Sequence, residues 1–149
     1  FEKVEQFVVT ENNLETSSKM QNEMIQACEE FYQSLGFPYQ VINIVSGALN
    51  NAAIKKLDLE CWFPGYDSYR ELVSCSNCTD YQSVTLNTRF QVKGTEEREY
   101  AHIINNTAIA TARAIAAILE NFQQADGTVK VPEVLHPYMR GVTVIGKKK

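Results

Sequence analysis

Two stretches decide how this 149-residue chain folds: YRELVSCSNCTDYQ, residues 69–82, and NNTAIATAR, residues 105–113. The first alternates apolar and polar positions, as a strand does, and ends in small hydroxyl and amide side chains. The second places two amides, a hydroxyl and an arginine where a strand gives way to an Ala-rich helical pattern. Strands that outnumber helices and are joined by short links predict an α+β fold, an antiparallel β-sheet flanked by helices.

The rest of the chain supplies the other elements of this fold. We predict strands at residues 1–10, 41–45, 56–63, 69–76, 87–92 and 98–104, and we expect the first strand to be central in the sheet. Helices are predicted from an N-cap at Thr16 or Ser17 to Leu35, at 79–86 with Thr79 as the cap, at 108–124, and at 132–135. No repeat or low-complexity linker interrupts these elements, which indicates one compact unit.

Charge and hydropathy limit the classes of function. The formal net charge is −4, which gives no general affinity for a nucleic-acid backbone, so any RNA contact must be local. The basic run Lys147–Lys149 is interpreted as a solvated tail. No stretch approaches the roughly 18 apolar residues of a membrane span, and no secretory signal is present. We therefore expect a cytoplasmic protein; because the sequence begins with Phe1, a mitochondrial or plastid location stays open.

The four cysteines are too few for a disulfide scaffold in a chain of this size, which favours a reducing compartment. Cys75 and Cys78 form a C-x-x-C pair, a pattern found in half of a zinc site or in a redox pair. A structural zinc ion needs two further ligands. His102 and His136 lie far apart in sequence and form no second ligand pair, so no zinc site is predicted.

With these two stretches, and with FEKVEQF at residues 1–7, the chain resembles the seryl-tRNA synthetases, a family of class II aminoacyl-tRNA synthetases. The resemblance covers nearly the whole chain, from late motif 2 through motif 3. It implies that residues 1–149 are the C-terminal part of a class II catalytic core that is incomplete at its N-terminus. Motif 1 and the tRNA-binding coiled coil are absent from the sequence. For the complete protein the resemblance implies a homodimer without membrane contact.

The same resemblance implies ATP-dependent activation of serine to seryl-adenylate and transfer to tRNA(Ser), the tRNA being held mostly by parts outside this chain. Arg113, in motif 3, is assigned to the γ-phosphate of ATP. Glu71 and Ser74 are assigned to ATP and Mg²⁺. Strict alternation puts Glu71 and Ser74 on opposite faces of a strand, so the role of Ser74 requires a bend in that strand.

Three further polar residues match the serine pocket of the resembled family. Glu5 is assigned to the ammonium group of serine, and Asn105 and Thr107 to its hydroxyl. A pocket that hydrogen-bonds the hydroxyl rejects analogues that lack it far better than an apolar pocket rejects a methylene. The predicted ligands of the site are therefore serine, ATP and Mg²⁺.

Two departures from the family keep other hypotheses open. The motif 2 arginine that holds the α-phosphate lies outside the sequence, and its loss is expected to remove several kcal/mol of transition-state stabilisation from the isolated chain. Two family arginines after D-Y-Q-A are replaced by Val84 and Thr85. A non-catalytic, synthetase-derived paralogue that acts as an interaction or structural subunit is therefore the alternative. A regulator that binds serine without adenylation is the third.

Overall fold

The computed structural model describes residues 1–146; the predicted Lys147–Lys149 tail lies outside them. The strands are β1 Lys3–Thr10, β2 Tyr39–Asn43, β3 Lys55–Phe63, β4 Ser68–Asn77, β5 Arg89–Gln91, β6 Arg98–Tyr100, β7 His102–Ala110, β8 Val129–Lys130 and β9 Val144–Ile145. The helices are α1 Leu14–Ser34, α2 Tyr81–Leu86 and α3 Thr111–Phe122, with short 3-10 helices at Ser46–Ala48 and Glu133–Leu135.

A five-stranded antiparallel sheet, in the order β1-β7-β4-β3-β2, forms the centre of the fold. Its core face is covered by α1 and α3. Met24, Cys28 and Tyr32 recur every four residues on α1, so they lie on one helical face, and all three are buried against the sheet. Leu59 and Cys61, two residues apart on β3, are both fully buried in the same cluster. The opposite face of the sheet is thus left for polar side chains.

The α+β prediction with an antiparallel sheet is confirmed, but the predicted start of the first helix is wrong. Asn13 is the N-cap of α1: its side-chain oxygen accepts the Thr16 N–H at 3.0 Å, and its backbone is extended. Thr16 and Ser17 lie inside the helix. None of the helices in residues 1–146 is long and apolar enough to cross a lipid bilayer.

The boundaries near residues 79 and 108 also differ from the prediction. Thr79 has a φ of 43°, which is not the extended backbone of an N-cap, and α2 follows Asp80 instead. The predicted strand 98–104 divides into β6 and β7. The long helix begins at Thr111 rather than at residue 108, since β7 continues through Ala110, which pairs with Lys3 of β1.

The position of β1 corrects another expectation. Within residues 1–146 this strand pairs with β7 alone and is an edge strand, not a central one. Val4, Phe7 and Val9 are accordingly about half exposed. In the described residues the Glu5 side chain is 40% exposed.

Candidate active site

The two strands that carry most of the predicted site residues separate at the site. β4 pairs with β7 only where Cys75–Asn77 meet Ile104–Asn106. Just beyond this pairing each strand contains one extra residue, Leu72 in β4 relative to β3 and Ala108 in β7 relative to β1. Such β-bulges bend a strand and end its regular pairing. A cavity of about 120 Å³ lies beside the separation, and its lining includes Glu71, Thr107 and Arg113.

The bulge at Leu72 also decides which side chains share a face of the sheet. Glu71 lies opposite Glu60, and Ser74 lies opposite Asp58, on β3. Directly opposed residues share a face, and Asp58 and Glu60 are two residues apart on the same strand. Glu71 and Ser74 therefore lie on one face, although they are three residues apart. The bend that the predicted role of Ser74 requires is present.

Arg113 and Glu71 are in direct contact. Arg113 is the third residue of α3, and its Nη1 donates to the Glu71 carbonyl at 2.9 Å and to Glu71 Oε1 at 3.0 Å. Thr111, the first residue of the helix, donates from its amide and hydroxyl to the carbonyl of Glu2. The guanidinium and the positive end of the helix together provide a positive potential at the cavity.

Glu5 and Thr107, both predicted for the serine pocket, are also in direct contact. They are opposite each other on β1 and β7, and Thr107 Oγ1 donates to Glu5 Oε1 at 3.0 Å. Lys3 Nζ lies 2.7 Å from the same carboxylate oxygen. Thr107 also lines the cavity beside Arg113, so the two contacts meet at one place.

Asn105 lies on the same strand face as Thr107, two residues before it, but its amide is engaged elsewhere. Its Nδ2 donates to Gln82 Oε1 at 2.7 Å and approaches Cys78 Sγ at 3.6 Å. Gln82, on α2, was not among the residues predicted for the site. It stands in the quoted stretch of residues 69–82, but its contact with Asn105 depends on how α2 packs against β7.

A buried carboxylate next to the site was also not singled out from the sequence. Asp58 alternates along β3 with the core residues Leu59 and Cys61 and so lies on the other face of the sheet, yet this residue is only 4% exposed. Lys56 Nζ lies 3.4 Å from its Oδ2. Burial raises the pKa of Asp58, while the Lys56 ammonium opposes that rise and the Glu71 carboxylate adds to it. Local alternation indicates which face a side chain occupies, not how deeply that face is covered.

A larger cavity of about 590 Å³ adjoins the first one. Arg113 and Glu71 line both, so their contact stands between the two cavities. Arg70 also lines the larger cavity, with its Cζ 4.6 Å from the centre of the Tyr66 ring. The volume falls in the range of small-molecule pockets, about 300–1,000 Å³.

The C-x-x-C cysteines have the properties of buried thiols. Burial raises the pKa of Cys75 to about 12 and also raises the pKa of Cys78, so both are protonated at neutral pH. The thiolate is the form that binds metals or exchanges disulfides. His102 is hydrogen-bonded to Ser17. In residues 1–146, no group of three or more His, Cys, Asp or Glu side chains is arranged to hold a metal ion.

Comparison with known proteins identifies relatives of this chain. The family model of the tRNA synthetase class II core domain (G, H, P, S and T) matches residues 1–122. The cytoplasmic serine–tRNA ligase of Dictyostelium discoideum is 58% identical over 141 residues, which are 93% of this chain and 31% of that protein. The cytoplasmic serine–tRNA ligase of Arabidopsis thaliana is 53% identical over 147 residues, which are 97% of this chain and 32% of that protein.

Solved structures give the same result. The seryl-tRNA synthetase of Pyrococcus horikoshii, described as complexed with ATP, has a TM-score of 0.92 and 48% identity, covering 99% of this chain and 32% of that one. The cytoplasmic serine–tRNA ligase of Naegleria fowleri, in complex with AMP, has a TM-score of 0.91 and 55% identity. The match covers 100% of this chain and 35% of that one. The chain spans about a third of the length of these relatives.

The predicted resemblance to seryl-tRNA synthetases is thus confirmed by sequence and by fold. The sheet, the two helices behind it and the polar face in front of it agree with that result. Because the family model spans residues 1–122 of the 149, the chain belongs to the class II tRNA synthetase core domain family.

Proposed function

We propose that this chain provides part of the catalytic core of a serine–tRNA ligase, which activates serine with ATP and transfers it to tRNA(Ser). One observation carries the proposal: the Arg113–Glu71 and Glu5–Thr107 contacts meet at the separation of β4 and β7. The relatives found by sequence comparison are named serine–tRNA ligases, and these names indicate serine and its tRNA as the substrates. Two of those relatives are described as cytoplasmic, which supports the same location here.

On the nucleotide side, Arg113 binds the γ-phosphate. The side chain of Arg113 is 57% exposed and that of Glu71 is 40% exposed, so their ion pair is screened by water and is readily exchanged. A phosphate accepts two parallel hydrogen bonds from a guanidinium and carries more charge than a carboxylate. Binding of ATP would therefore draw Arg113 away from Glu71 and free the Glu71 carboxylate.

The freed carboxylate and a neighbouring hydroxyl fit a magnesium ion. Glu71 and Ser74 are oxygen ligands on one face of the sheet, and Mg²⁺ in nucleotide sites is held by one or two carboxylates together with phosphates and water. When bound, Mg²⁺ neutralises charge on the phosphates. Glu71 and Ser74 would hold it, and Arg113 would hold the distal phosphate beside it.

On the amino-acid side, Glu5 receives the ammonium group of serine. Its Oε1 already contacts a cation, Lys3, at 2.7 Å, so the carboxylate stands where a cationic group is favoured. The Thr107 hydroxyl, 3.0 Å from Glu5, and the Asn105 amide then contact the serine hydroxyl. These three residues orient the serine carboxylate toward the nucleotide.

In the activation step, an oxygen of the serine carboxylate attacks the α-phosphorus of ATP. The new P–O bond forms as the bond to the bridging oxygen breaks, and pyrophosphate leaves with the electron pair. The side chains contribute orientation and compensation of charge, which are the main sources of catalysis in such a transfer. In the second step a ribose hydroxyl of the tRNA attacks the seryl carbonyl and AMP leaves. Binding of the tRNA and dimerisation are assigned mostly to parts of the complete protein outside residues 1–149.

Serine-dependent exchange of pyrophosphate into ATP tests this function. The assay uses the full native polypeptide that carries residues 1–149, with alanine as the matched control for the missing hydroxyl. We expect exchange with serine and a rate at least about 100-fold lower with alanine. Absence of exchange, with ATP and serine bound normally, would refute catalysis and favour the non-catalytic paralogue.

A further inference from the structure

One carboxylate oxygen of Asp58 is buried without a hydrogen-bond partner among the described residues. The residue is 4% exposed, and its Oδ1 makes no hydrogen bond with the described residues. Its Oδ2 lies 3.4 Å from Lys56 Nζ, which is beyond ideal hydrogen-bond distance for such a pair. A buried carboxylate is costly unless all its oxygens are engaged. An ion pair with Lys56 alone therefore does not account for this residue.

The surroundings of Asp58 point to the hydroxyl across the strand. Asp58 lies directly opposite Ser74 on one face of the sheet, and burial is the main reason why its pKa is raised. The other acid on this face of β3, Glu60, is engaged differently, because its Oε2 accepts from Gln40 Nε2 at 2.8 Å. Asp58 is thus the acid of β3 that lies opposite Ser74 and has an oxygen left to accept a hydrogen bond.

We propose that Asp58 is a positioning residue that accepts the Ser74 hydroxyl proton and turns the Ser74 oxygen toward the divalent cation. The inference rests on the proposed function, in which Glu71 and Ser74 hold Mg²⁺. A serine hydroxyl has one proton and two acceptor lone pairs, so a fixed acceptor for the proton fixes the direction of the lone pairs. A negative charge behind the hydroxyl also makes its oxygen a stronger ligand. Lys56 Nζ, 3.4 Å from Oδ2, helps to hold the Asp58 side chain in place.

The Asp58→Asn substitution tests this role, because it keeps the shape and removes the charge. Mg²⁺ is titrated calorimetrically into the full native polypeptide saturated with a non-hydrolysable ATP analogue. We expect Mg²⁺ to bind about 10- to 100-fold more weakly, as for other partners of metal ligands. The affinity for AMP, which lacks the β- and γ-phosphates that the cation bridges, should stay within about twofold.

A double-mutant cycle separates positioning from a structural role. If Asp58 acts through Ser74, then Asp58→Asn combined with Ser74→Ala should weaken Mg²⁺ no more than Ser74→Ala alone. Additive effects, or an unchanged Mg²⁺ affinity in Asp58→Asn, would overturn the proposal. A merely structural role would lower AMP affinity and the free energy of unfolding together with the Mg²⁺ affinity.

A second variant guards against misfolding, since Asp58→Asn leaves the Lys56 ammonium without its carboxylate. Combining it with Lys56→Gln restores the charge balance of a pair whose Lys56 side chain is 19% exposed. The same loss of Mg²⁺ affinity is expected in this variant, and wild-type affinity in it would overturn the proposal. If the wild type binds the ATP analogue normally and Asp58→Asn does not change the Mg²⁺ affinity, the role of Asp58 is refuted but the proposed function is not. If the wild type does not bind the ATP analogue, both the role of Asp58 and the proposed function are refuted.

Discussion

The Arg113→Ala substitution removes the guanidinium that joins α3 to Glu71 while leaving the core intact. Its effect on folding follows from the exposure of the pair: the Nη1–Oε1 distance is 3.0 Å, but the two side chains are 57% and 40% exposed. Exposed ion pairs contribute about 0.2–1 kcal/mol to stability. We therefore expect the free energy of unfolding to fall by no more than about 1 kcal/mol.

The effect of the same substitution on catalysis should be much larger. Negative charge builds up on the phosphates as the transition state forms. A cation already positioned next to them therefore stabilises the transition state more than the ground state. Removing one such preorganised group typically lowers kcat by about 10²–10³-fold, equivalent to about 2.7–4 kcal/mol. The predicted loss in serine-dependent exchange therefore exceeds the predicted loss in stability by about 2 kcal/mol or more.

Urea unfolding and pyrophosphate exchange, both on the full native polypeptide, measure the two quantities. Lys19→Ala is the matched control, because Lys19 also forms an exposed ion pair on a helix, 3.9 Å from Glu23, and is absent from the cavities at the site. The control should change stability similarly and keep full exchange. Exchange by Arg113→Ala within about threefold of wild type, or a stability loss above about 3 kcal/mol, would refute the reasoning.

Two further predictions concern the serine pocket and the thiols. Thr107→Val keeps the side-chain shape and removes the hydroxyl, so the dissociation constant for serine should rise about tenfold, and that for ATP should not change; calorimetry with each ligand checks this. Burial raises the pKa of Cys75 to about 12 and of Cys61 to about 11, above the usual value of 9.0, so the folded state keeps protons that the unfolded state loses. The free energy of unfolding should therefore fall as pH rises above about 9, by about 1.4 kcal/mol per pH unit and thiol. Urea unfolding from pH 8 to 10 should show this, and an equal slope in Cys75→Ala would contradict it.

The regular elements were predictable because their patterns are local. The alternation along residues 56–63 is typical of a strand such as β3, and the four-residue spacing of Met24 and Cys28 is typical of the buried face of a helix such as α1. The caps were less predictable. Asn13 and Thr16 are both suitable N-caps, and the choice depends on where the backbone leaves the extended conformation, which one sequence does not show.

The missed boundary at Ala110 shows how tertiary pairing overrides composition. Ala, Ile and Ala at residues 108–110 suit a helix, and intrinsic propensity favours one there. The pairing of Lys3 with Ala110 and of Val4 with Ile109 holds these residues in β7 instead. Propensity differences of a few tenths of a kcal/mol are smaller than the gain from extending a strand ladder with its side-chain contacts.

The predicted site residues could not be placed by alternation, because the candidate site is built from irregular strand geometry. Without the extra residue Leu72, Glu71 and Ser74 would point to opposite faces, and one of them would enter the apolar core behind the sheet. The extra residue Ala108 lies where β7 leaves β4, which opens the cavity beside Thr107. An extra residue in a strand leaves backbone N–H and C=O groups without their partners on the next strand. Such unpaired groups are tolerated only where a ligand or water can form hydrogen bonds with them. The two bulges therefore belong to the site as much as its polar side chains do, because they bring those side chains to one face and leave that face open.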